Sequence, residues 1–301
     1  MGYKIRSRWF GIQLFSIAVS LLLLILAAPN IGAADLDTIK PGTLVVAFNG
    51  DMPGTGWQDG KMIGLDGELM QWIADELGLK VEPALMEWSA EIASLKARRV
   101  DVMHGMMSWS IPRTKVIALT DPVYYVKPTI TQKKGQDWST LKDLEGKRVA
   151  TITGFNWIDE LKRIPGLKLS LYDTSDAAAR DLLAGRVEAL LADPPLIQFA
   201  IAKNPDWQIH SIPIAEERDD FPILTIKQNI VFGLNKEAPL LLEAMNKKIR
   251  EAWQGCKNFE IAKKYGLGDV STWFEPPGKE YRPGEDRPEG WTHPKLPASC
   301  Q

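Results

Sequence analysis

The chain carries chemistry-bearing residues, but none has the spacing of a catalytic device. It has no Gly-x-Ser-x-Gly elbow, no His-Glu-x-x-His and no dinucleotide fingerprint. The glycine-rich stretch at 54 to 61 ends in Gly60-Lys61-Met62 and lacks the spacing and hydroxyl of a phosphate loop. His104, His210 and His293 are scattered without zinc-type spacing, so no metal and no cofactor are expected. What remains is binding chemistry. Arg113 closes the run Ser108-Trp-Ser-Ile-Pro-Arg113, just after a predicted strand. Its planar guanidinium offers two parallel donors that match a carboxylate, which lysine cannot copy. A surface ion pair with Asp121 is the competing use. Asp193 ends the apolar run Ala189 to Ala192 and is either a part-buried carboxylate in need of a cation or a turn former ahead of Pro194-Pro195. Gly154-Phe-Asn156-Trp157 lies where a strand passes into a helix. Free amides there can hold an anion, and Asn156 also fits as the N-cap.

The elements that must position these groups follow a repeated grammar. Leu44 to Phe48 reads as a buried strand, and Leu65, Leu69, Trp72, Ile73 and Leu77 recur at helical spacing before Gly78, a C-cap glycine. Lys80 to Met86 is a strand, a helix follows with Ile92 and Leu95 inward, and Val100 to Met106 is a third strand. A second run places strands at Arg148 to Thr153, Lys168 to Tyr172 and Ala189 to Ala192, with helices at Asn156 to Arg163 and Ser175 to Ala184. Strand, helix, strand is the grammar of an α/β fold with mostly parallel sheets. Two extended segments, Tyr124 to Lys133 and Ile226 to Leu234, bracket the second run as crossovers. The expected organisation is therefore 35–126 and 229–274 for lobe 1, 127–228 for lobe 2, and a Pro-rich tail at 275–301. In lobe 1 Leu242, Met245, Ile249 and Trp253 share one helix face.

Composition agrees with such a molecule. The 301 residues are 45% apolar and 25% charged, enough to bury a core, and the length favours two lobes over one outsized core. A net charge of −2 gives no basic field for nucleic acid. Residues 1–34 read as a cleaved export signal: Lys4, Arg6 and Arg8, an apolar stretch from Leu14 to Ala28, then Gly32-Ala33-Ala34. The apolar stretch of about 15 residues is short of the ~20 that span a membrane. Without the signal, 33 basic residues face 38 acidic ones, a net charge of −5. Cys256 and Cys300 are most simply a disulfide in an oxidising compartment, with two free thiols as the alternative.

Several motifs taken together resemble one family. Ser108-Trp-Ser-Ile-Pro-Arg113 and Leu119-Thr-Asp-Pro-Val-Tyr-Tyr125 resemble the Ser-x-Thr-x-x-Arg and Phe-Ser-x-Pro-Tyr stretches of the periplasmic solute-binding proteins of family 3, the polar amino-acid receptors of ABC importers. Gly64-Leu-Asp66, Ser94 to Asp101, Leu144 to Val149, Gly185 to Asp193 and Lys264-Tyr-Gly266 fall in that family's order, over most of residues 40 to 268. The resemblance implies a two-lobed type 2 periplasmic-binding-protein fold with two hinge crossovers. It implies a periplasmic monomer that closes on a zwitterionic, amino-acid-like ligand and delivers it to ABC permease subunits, doing no chemistry on it.

It also implies roles for single residues. Arg113 grips the α-carboxylate with Ser108 beside it, Gly105 offers a carbonyl to the ammonium, Asp193 takes the ammonium, and Gly154 and Asn156 meet the carboxylate from lobe 2. Trp88 aligns with the aromatic wall, and Trp109 and Trp157 border the cleft. The chain departs from the family pattern after its first strand, where Asn49, Gly50, Asp51 and Met52 stand in place of an aromatic residue. Trp57 is expected to supply the missing wall, and Asn49 or Asp51 to meet the ammonium or side chain. So many tryptophans also suit a betaine-like quaternary amine. Two other functions fit the same fold: a cyclohexadienyl-dehydratase-like enzyme, with Asp51 or Glu87 recruited as acid, and a periplasmic accessory protein that binds a partner such as a redox enzyme.

Overall fold

The computed structural model describes residues 36–278 and 286–300; the expected signal at 1–34 and part of the tail lie outside them. The chain begins with β1 (Thr43–Phe48), five of whose six residues are buried, as a central strand requires. A hairpin of β2 (Gly56–Gln58) and β3 (Lys61–Ile63) leads into α1 (Leu65–Glu76), which puts Leu65, Leu69, Met70 and Ile73 into the core. Then come β4 (Lys80–Leu85), α2 (Trp88–Lys96), β5 (Val102–Met103), α3 (Ile111–Val116), β6 (Ala118–Leu119) and β7 (Tyr124–Val126). The chain passes into β8 (Thr129–Lys133), β9 (Arg148–Ile152), α4 (Ile158–Leu161), β10 (Lys168–Tyr172), α5 (Ser175–Leu183), β11 (Ala189–Leu190), α6 (Pro194–Lys203), β12 (Ile209–Pro213) and α7 (Pro222–Thr225). It returns through β13 (Gln228–Ile230) and β14 (Gly233–Leu234) and ends in α8 (Pro239–Gln254), α9 (Lys257–Lys264) and α10 (Val270–Trp273).

Two five-stranded sheets result, with one topology repeated. Lobe 1 runs β4-β1-β5-β14-β6 and lobe 2 runs β10-β9-β11-β8-β12. In each, three parallel strands are followed by one antiparallel strand, β14 or β8, and then by a fifth, β6 or β12, that pairs antiparallel with it, so the sheets are mixed. Helices cover both faces, and each lobe has its own apolar clusters. Between the sheets β7 and β13 form a separate antiparallel ribbon, the two strands at which the chain crosses over.

Several expected elements are shorter, for local reasons. The segment 124–133 breaks at Lys127-Pro128 into β7 and β8, since proline cannot donate to a ladder. Strand pairing at 100–106 is confined to Val102–Met103, because Gly105 at φ 151° and Met106 at φ 55° turn the chain out of the sheet. The helix expected over 156–163 is only α4; its N-cap is Trp157 rather than Asn156, and no side chain caps it. On α8 the buried face holds Leu241, Met245, Ile249 and Trp253, with Leu242 only partly buried.

Cys256 and Cys300 are bonded, their Cα atoms 5.5 Å apart. The tail is thus tied to lobe 1, and a second attachment centres on Asp121. That buried carboxylate receives Arg250 at 2.6 Å, Arg287 at 2.8 Å and the Trp291 indole at 2.8 Å. Arg113 does not reach it.

Candidate functional site: a cleft between the lobes

Parallel strands of both sheets present their carboxyl ends to one cleft of about 480 Å³, where open α/β sheets place ligands. Lobe 1 contributes the ends of β1 and β5 and the start of α2; lobe 2 contributes the turns after β9, β10 and β11. Of the residues singled out in the sequence, Asn49, Asp51, Trp88, Gly105, Ser108, Arg113, Asn156, Trp157 and Asp193 line it.

Arg113 is held in place from inside lobe 1. One guanidinium nitrogen donates to the Ser108 carbonyl, and the guanidinium carbon stands 5.6 Å from the centre of the Trp88 ring. Across the cleft stands Asp193, the N-cap residue of α6, whose side chain caps nothing. The two charges feel each other: Asp193 supports the Arg113 cation, and Arg113 opposes the rise that burial imposes on Asp193. Yet no ion pair within 4 Å joins them among the described residues. Burial wins at both, bringing Arg113 down to about 10 and Asp193 up to about 8. A dipolar molecule placed between them supplies each with the partner it lacks.

Lobe 2 adds a donor. Asn156 lies in the turn before α4, and its amide nitrogen is buried without a hydrogen-bond partner. A four-residue helix has little dipole, so the donor this turn offers is the Asn156 side chain rather than a helix terminus. Gly154, at φ 85°, is not in the lining; a Cβ there would stand 3.8 Å from the Trp88 ring. A Cβ on Gly105 would stand 3.5 Å from the same ring, so Trp88 spans from one lobe to the other.

Two aromatic expectations are corrected. Trp57 sits on the β2–β3 hairpin, packed against the lobe 1 core and absent from the cleft. Trp109 turns its indole N–H to Asp286 of the tail at 3.0 Å. Lobe 2 adds Phe155 and Trp157 to the aromatic lining, packed edge to face with centroids 5.0 Å apart. Trp157 is pinned by its indole N–H to Thr151 Oγ1 at 2.8 Å.

Sequence reasoning missed the turn Asp173-Thr174-Ser175 after β10, although its place at the end of a parallel strand was a signal. It also missed Glu91, one helical turn past the cleft-lining Glu87. Asn49 and Asp51 bind each other, Nδ2 to Oδ2 at 2.8 Å, and Thr55 donates to Asn49 at 3.0 Å. The loop is shaped by these bonds.

The buried carboxyls set an unusual pH dependence. Burial, with Asp51 adding repulsion, raises Glu91 to about 9, and Asp193 titrates near 8, whereas both are ionised in the unfolded chain above about pH 6. Between pH 6.5 and 9 the folded state therefore binds more protons, and stability falls as pH rises. His104, lowered to about 4 by burial, acts below this window; Lys127 and Lys227, lowered from 10.5, act above it. Ligand-free protein is expected to lose about 2 kcal/mol per pH unit between pH 7 and 9, with two carboxyls shedding their extra protons there. Urea unfolding at three pH values measures this, and a flat or rising profile contradicts it.

A two-lobed α/β protein with opposed charges across an interlobe cleft has the architecture of the type 2 periplasmic binding proteins. The chain belongs to the bacterial extracellular solute-binding proteins, family 3, whose pattern matches residues 44–268. It is 31% identical over 235 residues to the L-cystine-binding protein of Escherichia coli K12, covering 76% of this chain and 85% of that one. It is 27% identical over 217 residues to the histidine-binding periplasmic protein of the same organism, covering 70% and 82%. Among solved structures, an ancestral arginine-binding protein bound to arginine superposes with a TM-score of 0.65 at 26% identity, covering 74% of this chain and 98% of that one.

Proposed function

We propose that this protein is a periplasmic receptor that captures an amino acid or a close derivative between its lobes and delivers it to the membrane subunits of an ABC importer. The observation that carries this reading is the unjoined pair Arg113 and Asp193, from different lobes and facing one cleft. Arg113, with Asn156 opposite, takes the α-carboxylate; Asp193, with the Gly105 carbonyl, takes the ammonium. Ligand contacts from both lobes exist together only in the closed state, so binding shifts the population toward closure. The β7–β13 ribbon is the hinge, and residues 127–228 move as one unit against 35–126 and 229–274. The closed surface is what the permease reads.

A thermal-shift screen of proteinogenic amino acids, cystine and betaines tests this. A ligand present at about 100 times its Kd stabilises by about 2.7 kcal/mol, so an amino acid is expected to raise the melting temperature by roughly 5 °C or more. No shift with any amino acid sinks the reading.

A further inference from the structure

Arg113 sits on a helix that buries nothing. None of the six residues of α3 is buried, and its apolar residues Ile111 and Val116 are exposed. An element with so few buried contacts opens locally at little cost, so its position is set at its two ends. After it, Ile117 is buried in the lobe 1 core. Before it, the run Met107-Ser108-Trp109 is laced to the returning chain at 229–231. The Val231 amide donates to the Met107 carbonyl at 2.9 Å, the Trp109 amide donates to the Asn229 carbonyl at 2.8 Å, and Ser108 bridges Ile230. The Trp109 ring belongs to the same apolar cluster as Met103, Met107 and Ile117. Its indole N–H points instead to Asp286, at 3.0 Å, in the tail that lies beyond the 44–268 matched by the family pattern. A carboxylate acceptor makes this a charge-assisted bond, which fixes the ring's orientation.

Asp286 is itself held in place. Its neighbour Arg287, nearly buried, donates to the Asp121 carboxylate at 2.8 Å and to the Thr120 carbonyl at 3.1 Å, and further on Pro294 accepts the Tyr125 hydroxyl at 2.8 Å. The tail thus rests on the segment 120–125 and carries a fixed negative charge to the back of the ligand-binding run. Ser108, next to Trp109, supplies the carbonyl that accepts the Arg113 guanidinium. The contacts run without a gap from Asp286 through Trp109 and Ser108 to Arg113.

We propose that Asp286 is a positioning residue for ligand capture: by fixing the Trp109 indole it sets the Ser108 carbonyl from which the Arg113 guanidinium is aimed into the cleft. The inference rests on reading Arg113 as the carboxylate grip. The cleft lining holds no residue of the tail, so Asp286 acts only through Trp109.

Calorimetry and stopped-flow binding on the full chain, with the amino acid that gives the largest shift in the thermal screen, test it. Asp286→Ala is expected to weaken affinity about 10-fold, mainly through faster release. Asp286→Asn keeps an acceptor oxygen in place and is expected to lose about threefold or less. Trp109→Phe removes the donor, keeps an aromatic ring in the cluster and is expected to match Asp286→Ala. The double variant is expected to lose about 10-fold as well rather than about 100-fold, since both substitutions break one contact. A tail that merely stabilises the fold gives neither the rescue by asparagine nor this coupling. Affinity within about twofold of wild type in Asp286→Ala or in Trp109→Phe, or losses that multiply in the double variant, overturns the inference and leaves Arg113 as the grip. Each single substitution decides by itself should the other fail to fold. If Arg113→Ala binds as wild type does, or no amino acid binds, the reading of Arg113 falls and this inference falls with it.

Discussion

Arg113→Ala is expected to abolish measurable capture of the ligand, a loss of about a thousandfold or more. Truncating one partner of a buried, hydrogen-bonded charge pair costs about 2 to 5 kcal/mol, because the group left behind keeps its desolvation penalty. Here the ligand carboxylate is left behind in the cleft, and the Asp193 carboxyl loses the one cation that opposes the rise burial imposes on it. Arg113→Lys is expected to lose about a hundredfold. A single ammonium cannot donate to the Ser108 carbonyl and also present two parallel donors to a carboxylate, and it stacks less well on Trp88. Calorimetry against the best ligand of the thermal-shift screen checks both substitutions. Affinity within threefold of wild type in either one rejects Arg113 as the carboxylate grip.

What the sequence makes legible follows from how local each signal is. The alternating strand and helix pattern, the order of the strands' hydrophobic runs and the two crossovers depend on short-range periodicity, and both sheets contain the strands that reading places there. Boundaries were harder, since they depend on single residues. Gly105 and Met106 cut one strand to two residues, and Pro128 splits another segment. Among site residues, Arg113 lies inside the short helix α3 and Asp193 at the N-cap of α6, each beside a proline, Pro112 and Pro194, that marks the helix start. Trp57 misled because tryptophan serves packing as readily as binding, and a hairpin carries it to the lobe 1 core. Glu91 was hidden by its helix: between Trp88, Ile92 and Leu95 it occupies an inward position, and an acidic residue on an inward face was itself a usable signal. The Asp121 centre joins residues more than 120 positions apart, a separation that no periodicity reports.

Breaking the disulfide is expected to produce the largest loss of stability available from a surface change. The bond closes a loop of 44 residues, and in the chain-entropy model a loop of that size is worth about 4 kcal/mol. The tail also has native contacts that survive reduction: Arg287 and Trp291 on Asp121, and the Tyr125 hydroxyl on the Pro294 carbonyl at 2.8 Å. These contacts hold the folded arrangement, while the covalent link acts mainly by restricting the unfolded chain, so the two contributions are separable. Cys256→Ser with Cys300→Ser is therefore expected to keep the fold and lower stability by about 4 kcal/mol, a drop of roughly 10 °C in melting temperature. The same shift is expected when the wild-type protein is measured in reductant, and reductant is expected to leave the double variant unmoved. Ligand affinity is expected to change little, because neither cysteine lines the cleft. If the double variant loses less than about 1 kcal/mol, the Asp121 contacts already restrain the tail in the unfolded ensemble, and the loop-closure account of this bond is wrong.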